Sequence, residues 1–121
     1  GVGAPLFIYY GDSMTQLQED YILRMVEQVA QVLAKVLGLQ QDHRHEQADR
    51  MIEESITRLL GPSSDIIVQF DAVTAVRLIG DARIVEAYCQ LLEAQAQSCT
   101  STIAGSIQMR VDALRQAALT L

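Results

Sequence analysis

The sequence predicts an all-α fold of five to six antiparallel helices arranged as αα-hairpins. Apolar residues recur every three or four positions along most of the chain, which is the period of an amphipathic helix. Glycine, proline and hydroxyl-rich turns divide these stretches at short intervals. Half of the 121 residues are hydrophobic, so one domain of this length can fill a core.

The first predicted helix covers residues 15–37. Thr15 as N-cap and Gln18 three residues later fit a capping box, and Gly38 is expected to end the helix. On a helical wheel, apolar side chains fill more than half of its circumference. We therefore expect a central helix that contacts more than one neighbour.

Two further predictions concern the middle of the chain. The second helix is expected to end at Leu60, because a glycine–proline pair follows it. Residues 63–79 favour one or two short helices that break near Phe70, although β-branched residues also allow a strand over residues 66–70.

The C-terminal part is predicted to hold two helices. Gly80 ends the preceding element, and Asp81 caps a helix over about residues 82–97. The last helix covers about residues 102–119. Gly105 lies inside it, where glycine destabilises a helix, and a close helix crossing would explain its presence.

Residues 1–13 differ in composition from the rest of the chain. They hold three of the seven glycines, two of the four tyrosines and no Lys or Arg. We interpret them as an N-terminal arm or as a leader of non-native origin. Residues 14–121 are expected to form a single helical domain, with Met14 as the natural start.

The charge and the cysteine content exclude several classes of protein. Nine Lys and Arg residues against fifteen Asp and Glu residues give a net charge of −6, which argues against nucleic acid or an anionic membrane as partner. No apolar run approaches the roughly 20 residues that a membrane span needs, and no signal peptide is recognisable. Two cysteines are too few for a disulfide scaffold. These features predict a cytoplasmic protein with reduced thiols.

The segment Gln18–Leu39 resembles the start of a family of uncharacterised short bacterial helical proteins. These proteins open with the pattern Asp-Tyr-Ile/Leu-x-Arg-Met-Ile/Val-Glu-Gln, which residues 20–28 match, and a later helix ends in Leu-Leu-Gly, as at residues 59–61. The resemblance covers residues 14–121. Because some members are labelled tetratricopeptide-like, it implies right-handed, tetratricopeptide-like stacking of the helix pairs. It implies no activity and no catalytic residue.

One cluster of side chains is a weak candidate for a metal site. Zinc binds imidazole and carboxylate groups, and both types gather between Asp42 and Asp49. His45 and Asp49 share one face of a helix, and His43 joins them if the connector is extended. The simpler interpretation is a solvated turn that leads into a helix.

The chain contains no recognisable catalytic motif. It lacks a glycine-rich phosphate loop after a strand, and no carboxylate occupies a predicted apolar position that would raise its pKa. The sequence therefore predicts a protein that is not an enzyme and that uses no cofactor.

The apolar surface exceeds what a small helical domain can bury, and large exposed patches mark protein interfaces. We therefore predict a protein–protein interaction module that associates through apolar helix faces, as a homodimer or with an unknown protein. The alternative is a small-ligand or metal-binding protein that uses the Asp42–Asp49 cluster. The predicted interface residues are Leu17, Tyr21, Met25 and Val32 in the first helix, and Phe7 and Tyr9 in the arm.

Overall fold

The computed structural model describes the backbone of residues 3–121 and the side chains of residues 16–121. This part of the chain is helical and contains no strand, so the predicted all-helical fold is confirmed there. A 3-10 turn over Gly61–Ser63 joins the second and third helices. Helices α1 to α6 span Gly3–Gln41, His45–Leu60, Ser64–Ile67, Ala72–Ile79, Ala82–Ala96 and Ser101–Ala118.

Helix α1 is longer than predicted at both ends. It begins at Gly3, so Thr15 lies within the helix and the predicted capping box is wrong. It also runs through Gly38, and the chain turns only at His43, whose φ of 61° is left-handed. The amide of Arg44 then donates to the Leu39 carbonyl over 2.8 Å, which closes the last turn.

Helices α1 and α5 form the centre of the molecule. Helix α1 packs against α2 and α5, so the predicted contact with more than one neighbour is confirmed. Helix α5 also packs against α2 and α6, and α6 packs against α4. The largest fully buried side chains are Val36 of α1, Ile52 of α2, Ile67 of α3, Val76 of α4, Val85, Tyr88, Cys89 and Leu91 of α5, and Val111 and Leu114 of α6.

The short helices end and begin where the sequence predicted. Asp71 caps α4, because its side chain accepts hydrogen bonds from the Thr74 amide at 3.3 Å and the Thr74 hydroxyl at 2.6 Å. Gly80 ends α4 with a left-handed φ of 80°. The Asp81 carboxylate then accepts from the Arg83 amide at 2.8 Å and caps α5.

The close helix crossing expected at Gly105 is wrong. A Cβ atom added there would meet nothing within 4 Å, so no neighbouring helix requires a glycine. Helix α6 instead packs through its opposite side, where Val111, Leu114 and Ala117 are buried.

An exposed ion-pair cluster joins α5 to α6. The Arg115 guanidinium lies 2.9 Å from a Glu86 carboxylate oxygen and 2.7 Å from a Glu93 oxygen. Its Nε and Nη1 atoms donate to the second oxygens of the same carboxylates, at 2.9 and 3.0 Å. These hydrogen bonds hold the pKa of both carboxyls below the ordinary value of 4.5.

We expect the unfolding free energy of the Arg115→Leu variant to fall less steeply at acidic pH than that of the wild type. A carboxyl group whose pKa is lowered by folding stabilises the protein at pH values above its ordinary pKa. This contribution is lost as the pH falls through the lowered pKa. At neutral pH the variant should lose about 1 kcal/mol of unfolding free energy, because exposed pairs contribute little each. Urea unfolding between about pH 3 and 6 measures both effects.

Arg58→Leu is the matched control, because Arg58 forms no ion pair within residues 16–121. If the unfolding free energies of the two variants depend on pH with the same slope, the cluster has no stabilising role.

We expect alanine substitutions at two glycines to change the unfolding free energy in opposite directions. Gly38 lies inside α1 with open space around the Cβ position, so Gly38→Ala should raise the unfolding free energy by about 1 kcal/mol. Gly80 adopts a left-handed φ, so Gly80→Ala should lower it by about 1 kcal/mol. Urea denaturation measures both changes, and a loss of stability in Gly38→Ala would show that the α1 helix ends earlier.

Candidate interaction site

The predicted metal cluster assembles only in part. His43 lies in the turn after α1 and His45 begins α2, with their ring centroids 6.1 Å apart. Asp49 lies one turn further along α2, and its Oδ1 atom is buried without a hydrogen-bond partner. Within residues 16–121, no group of three or more His, Cys, Asp or Glu side chains is placed to hold a metal ion.

We expect calorimetric titration with zinc to give no saturable heat for this protein. Two imidazoles without a third ligand leave half of a tetrahedral zinc shell to water. His43→Ala/His45→Ala is the control. A saturable heat in the wild type that this double variant loses would contradict the expectation.

A groove opens at one end of the helix bundle, where α2 and α4 end and α5 begins beside α1. Its volume is about 380 Å³. Aliphatic side chains share the lining with polar groups, which include the side chains of Gln18, Ser63 and Asp81. The aliphatic lining residues are Ile22, Leu59, Leu60, Ile67, Ile79 and Ile84.

Large apolar side chains border this groove and face solvent. Tyr21 and Leu78 line it and are 57% and 54% exposed. Leu17, one helical turn before Tyr21, is 66% exposed. We call the groove together with Leu17, Tyr21 and Leu78 the groove surface. It contains two residues of the predicted interface, Leu17 and Tyr21.

Two other residues of the predicted interface lie elsewhere. Met25 is 7% exposed and belongs to the core, and Val32 is half-buried against the same core. The physical reason is that both α2 and α5 pack on α1 and bury the part of its apolar arc that holds Met25 and Val32, while Leu23 and Leu37 stay more than half exposed. The side chains of Phe7 and Tyr9 lie outside the described residues.

Leu78 was not identified from the sequence. The sequence pattern could have indicated this residue, because Leu78 is a large apolar residue that lies outside the periodic apolar positions of its helix. In α4 the buried residues are Ala75 and Val76, and Leu78 points away from them.

An ion-pair cluster stands beside the groove surface and joins α1 to the start of α5. Two nitrogens of Arg83 lie 2.8 Å from the two carboxylate oxygens of Glu19, and Nη2 also lies 2.9 Å from Asp81. Hydrogen bonds from Arg83 lower the pKa of both carboxyls. Because two carboxylates share one guanidinium, this rim carries one negative charge in excess.

The two cysteines lie in different surroundings. Burial raises the pKa of the Cys89 thiol to about 11, so it stays protonated at neutral pH. The Cys99 thiol donates to the Gln95 carbonyl over 3.4 Å. Both cysteines are free, as the sequence predicted, although Cys99 lies after the end of α5 and is only partly buried.

No protein-family model, curated protein or solved structure matches this chain. The resemblance of Gln18–Leu39 to short bacterial helical proteins therefore stays a prediction. Among the described helices, none combines the length and the apolar character needed to cross a bilayer.

Proposed function

We propose that this protein is a non-enzymatic, cytoplasmic interaction module that binds a protein chain through the groove surface, and that a second copy of the chain is its partner. One observation carries the proposal. A groove with many aliphatic residues in its lining is open to solvent. Tyr21 and Leu78, which line it, and Leu17, one helical turn before Tyr21, are each more than half exposed.

The composition of the groove surface supports a protein partner. Interfaces combine an apolar centre with a polar rim, and tyrosine is enriched among the residues that contribute most to binding. Here the lining combines aliphatic residues with Tyr21 and with Asp81, which belongs to the Glu19–Arg83–Asp81 cluster. Complete burial of one such leucine side chain contributes roughly 1.5–3 kcal/mol.

A small-ligand site explains this groove less well. Its volume falls within the range of ligand pockets, but such pockets use a few free polar groups to orient the ligand. The charged group of this lining, Asp81, already accepts hydrogen bonds from Arg83. At the Asp42–Asp49 cluster, fewer than three possible ligand side chains converge within residues 16–121, so the metal-binding alternative has weaker support than the groove surface.

The proposal includes the arrangement of the helices. Helix α1 packs on α2, α5 packs on α6, and α2 contacts α5 between these two pairs. These contacts support two αα-hairpins stacked in a right-handed, tetratricopeptide-like manner, as the resemblance to short bacterial helical proteins implies. An experimental structure that gives the crossing angles between the pairs tests this arrangement.

We expect light scattering after size-exclusion chromatography to give a mass above the 13.4 kDa of one chain. Leu17→Asp/Tyr21→Asp should reduce the mass to that of one chain and keep the helical circular dichroism, because both side chains are exposed. Met109→Asp is the matched control, since Met109 is 75% exposed on α6 and does not line the groove.

Two results would contradict the proposal. A wild-type mass of 13.4 kDa at every concentration would exclude self-association. Loss of helicity in the double variant would show that Leu17 and Tyr21 belong to the core.

A further inference from the structure

We infer that the groove binds the segment Leu6–Tyr10 of a second copy, so that two chains exchange the N-terminal ends of their α1 helices. The inference rests on the proposed function and specifies the partner segment. It follows from the sequence of this segment, from the course of α1 and from the position of the groove.

Residues 6–10 are five consecutive large apolar residues, Leu-Phe-Ile-Tyr-Tyr. The backbone of this segment is helical, as part of α1. These five positions include no polar residue other than the two tyrosines. A helix that is apolar all round requires burial against other protein surface.

The segment cannot enter the groove of its own chain. Helix α1 is continuous from Gly3 to Gln41, and Gln18 already lines the groove. Tyr10 therefore lies roughly 12 Å, and Leu6 roughly 18 Å, further along the same helix axis. The groove lies where α2 ends at Leu60 and α5 begins at Ala82, so neither helix continues beside that part of α1.

Charge favours this segment as the occupant. Each chain carries a net charge of −6, and the groove rim has one excess negative charge, so an acidic surface of a second copy would be repelled. Residues 3–11 contain no charged side chain. The exchange therefore brings a neutral apolar segment against the groove and keeps the acidic surfaces apart.

A twofold dimer contains two such contacts, one segment in each of two grooves, since the same contact occurs twice.

Disulfide trapping tests the contact directly. One chain carries Tyr9→Cys and the other Leu78→Cys, both with Cys99→Ser to remove the partly exposed native thiol. After mixing and mild oxidation, we expect a covalent heterodimer on a non-reducing gel. Met109→Cys in place of Leu78→Cys is the matched control, and equal trapping with this control would overturn the inference.

Light scattering on the full chain separates this inference from the proposed function. We expect both Phe7→Asp/Tyr9→Asp and Leu78→Asp to give the mass of one chain with unchanged helical circular dichroism. If Phe7→Asp/Tyr9→Asp remains dimeric while Leu17→Asp/Tyr21→Asp is monomeric, the segment is not the occupant and the proposed function stands. A monomeric wild type would overturn both.

Discussion

The structure depends on the mismatch between the length of α1 and the lengths of the helices that pack on it. Helix α1 has 39 residues and is roughly 58 Å long by its rise per residue. Helices α2 and α5, which both pack on it, have 16 and 15 residues, so each can accompany less than half of it. They cover the C-terminal part of α1, where Val29 and Val36 are buried, and the groove forms where their cover ends.

Polar contacts made by two arginine side chains connect the helices around this groove. Arg83 links Glu19 of α1 to Asp81, the N-cap of α5, and so holds one wall in place. Arg110 of α6 donates to the Ile67 carbonyl over 3.1 Å, which links α6 to α3 beside the groove. Two guanidinium groups thus connect the start of α5 and the end of α3 to neighbouring helices.

The sequence predicted the elements whose ends depend on local chemistry and missed those decided by tertiary contacts. Gly80 and Asp81 end and begin helices because a left-handed residue and a side-chain cap act within one turn. Thr15 and Gly38 carry similar signals, yet such caps contribute only about 1 kcal/mol and the longer helix overrides them. The apolar arc of α1 was recognisable, but periodicity cannot show that α2 and α5 bury Met25 and leave Tyr21 exposed.

The groove surface differs from other exposed apolar residues because its apolar side chains lie next to one another. Met109 and Leu119 are even more exposed than Tyr21, but they do not line this groove, and single apolar residues on a surface need no partner. Tyr21 and Leu78 instead line the groove, and Leu17 lies one helical turn before Tyr21 on α1. Their combined burial contributes several kcal/mol at roughly 1.5–3 kcal/mol for each side chain, which is large against a typical unfolding free energy of about 5–15 kcal/mol. Because these side chains lie outside the core, a partner that covered them would leave the packing of the helices unchanged.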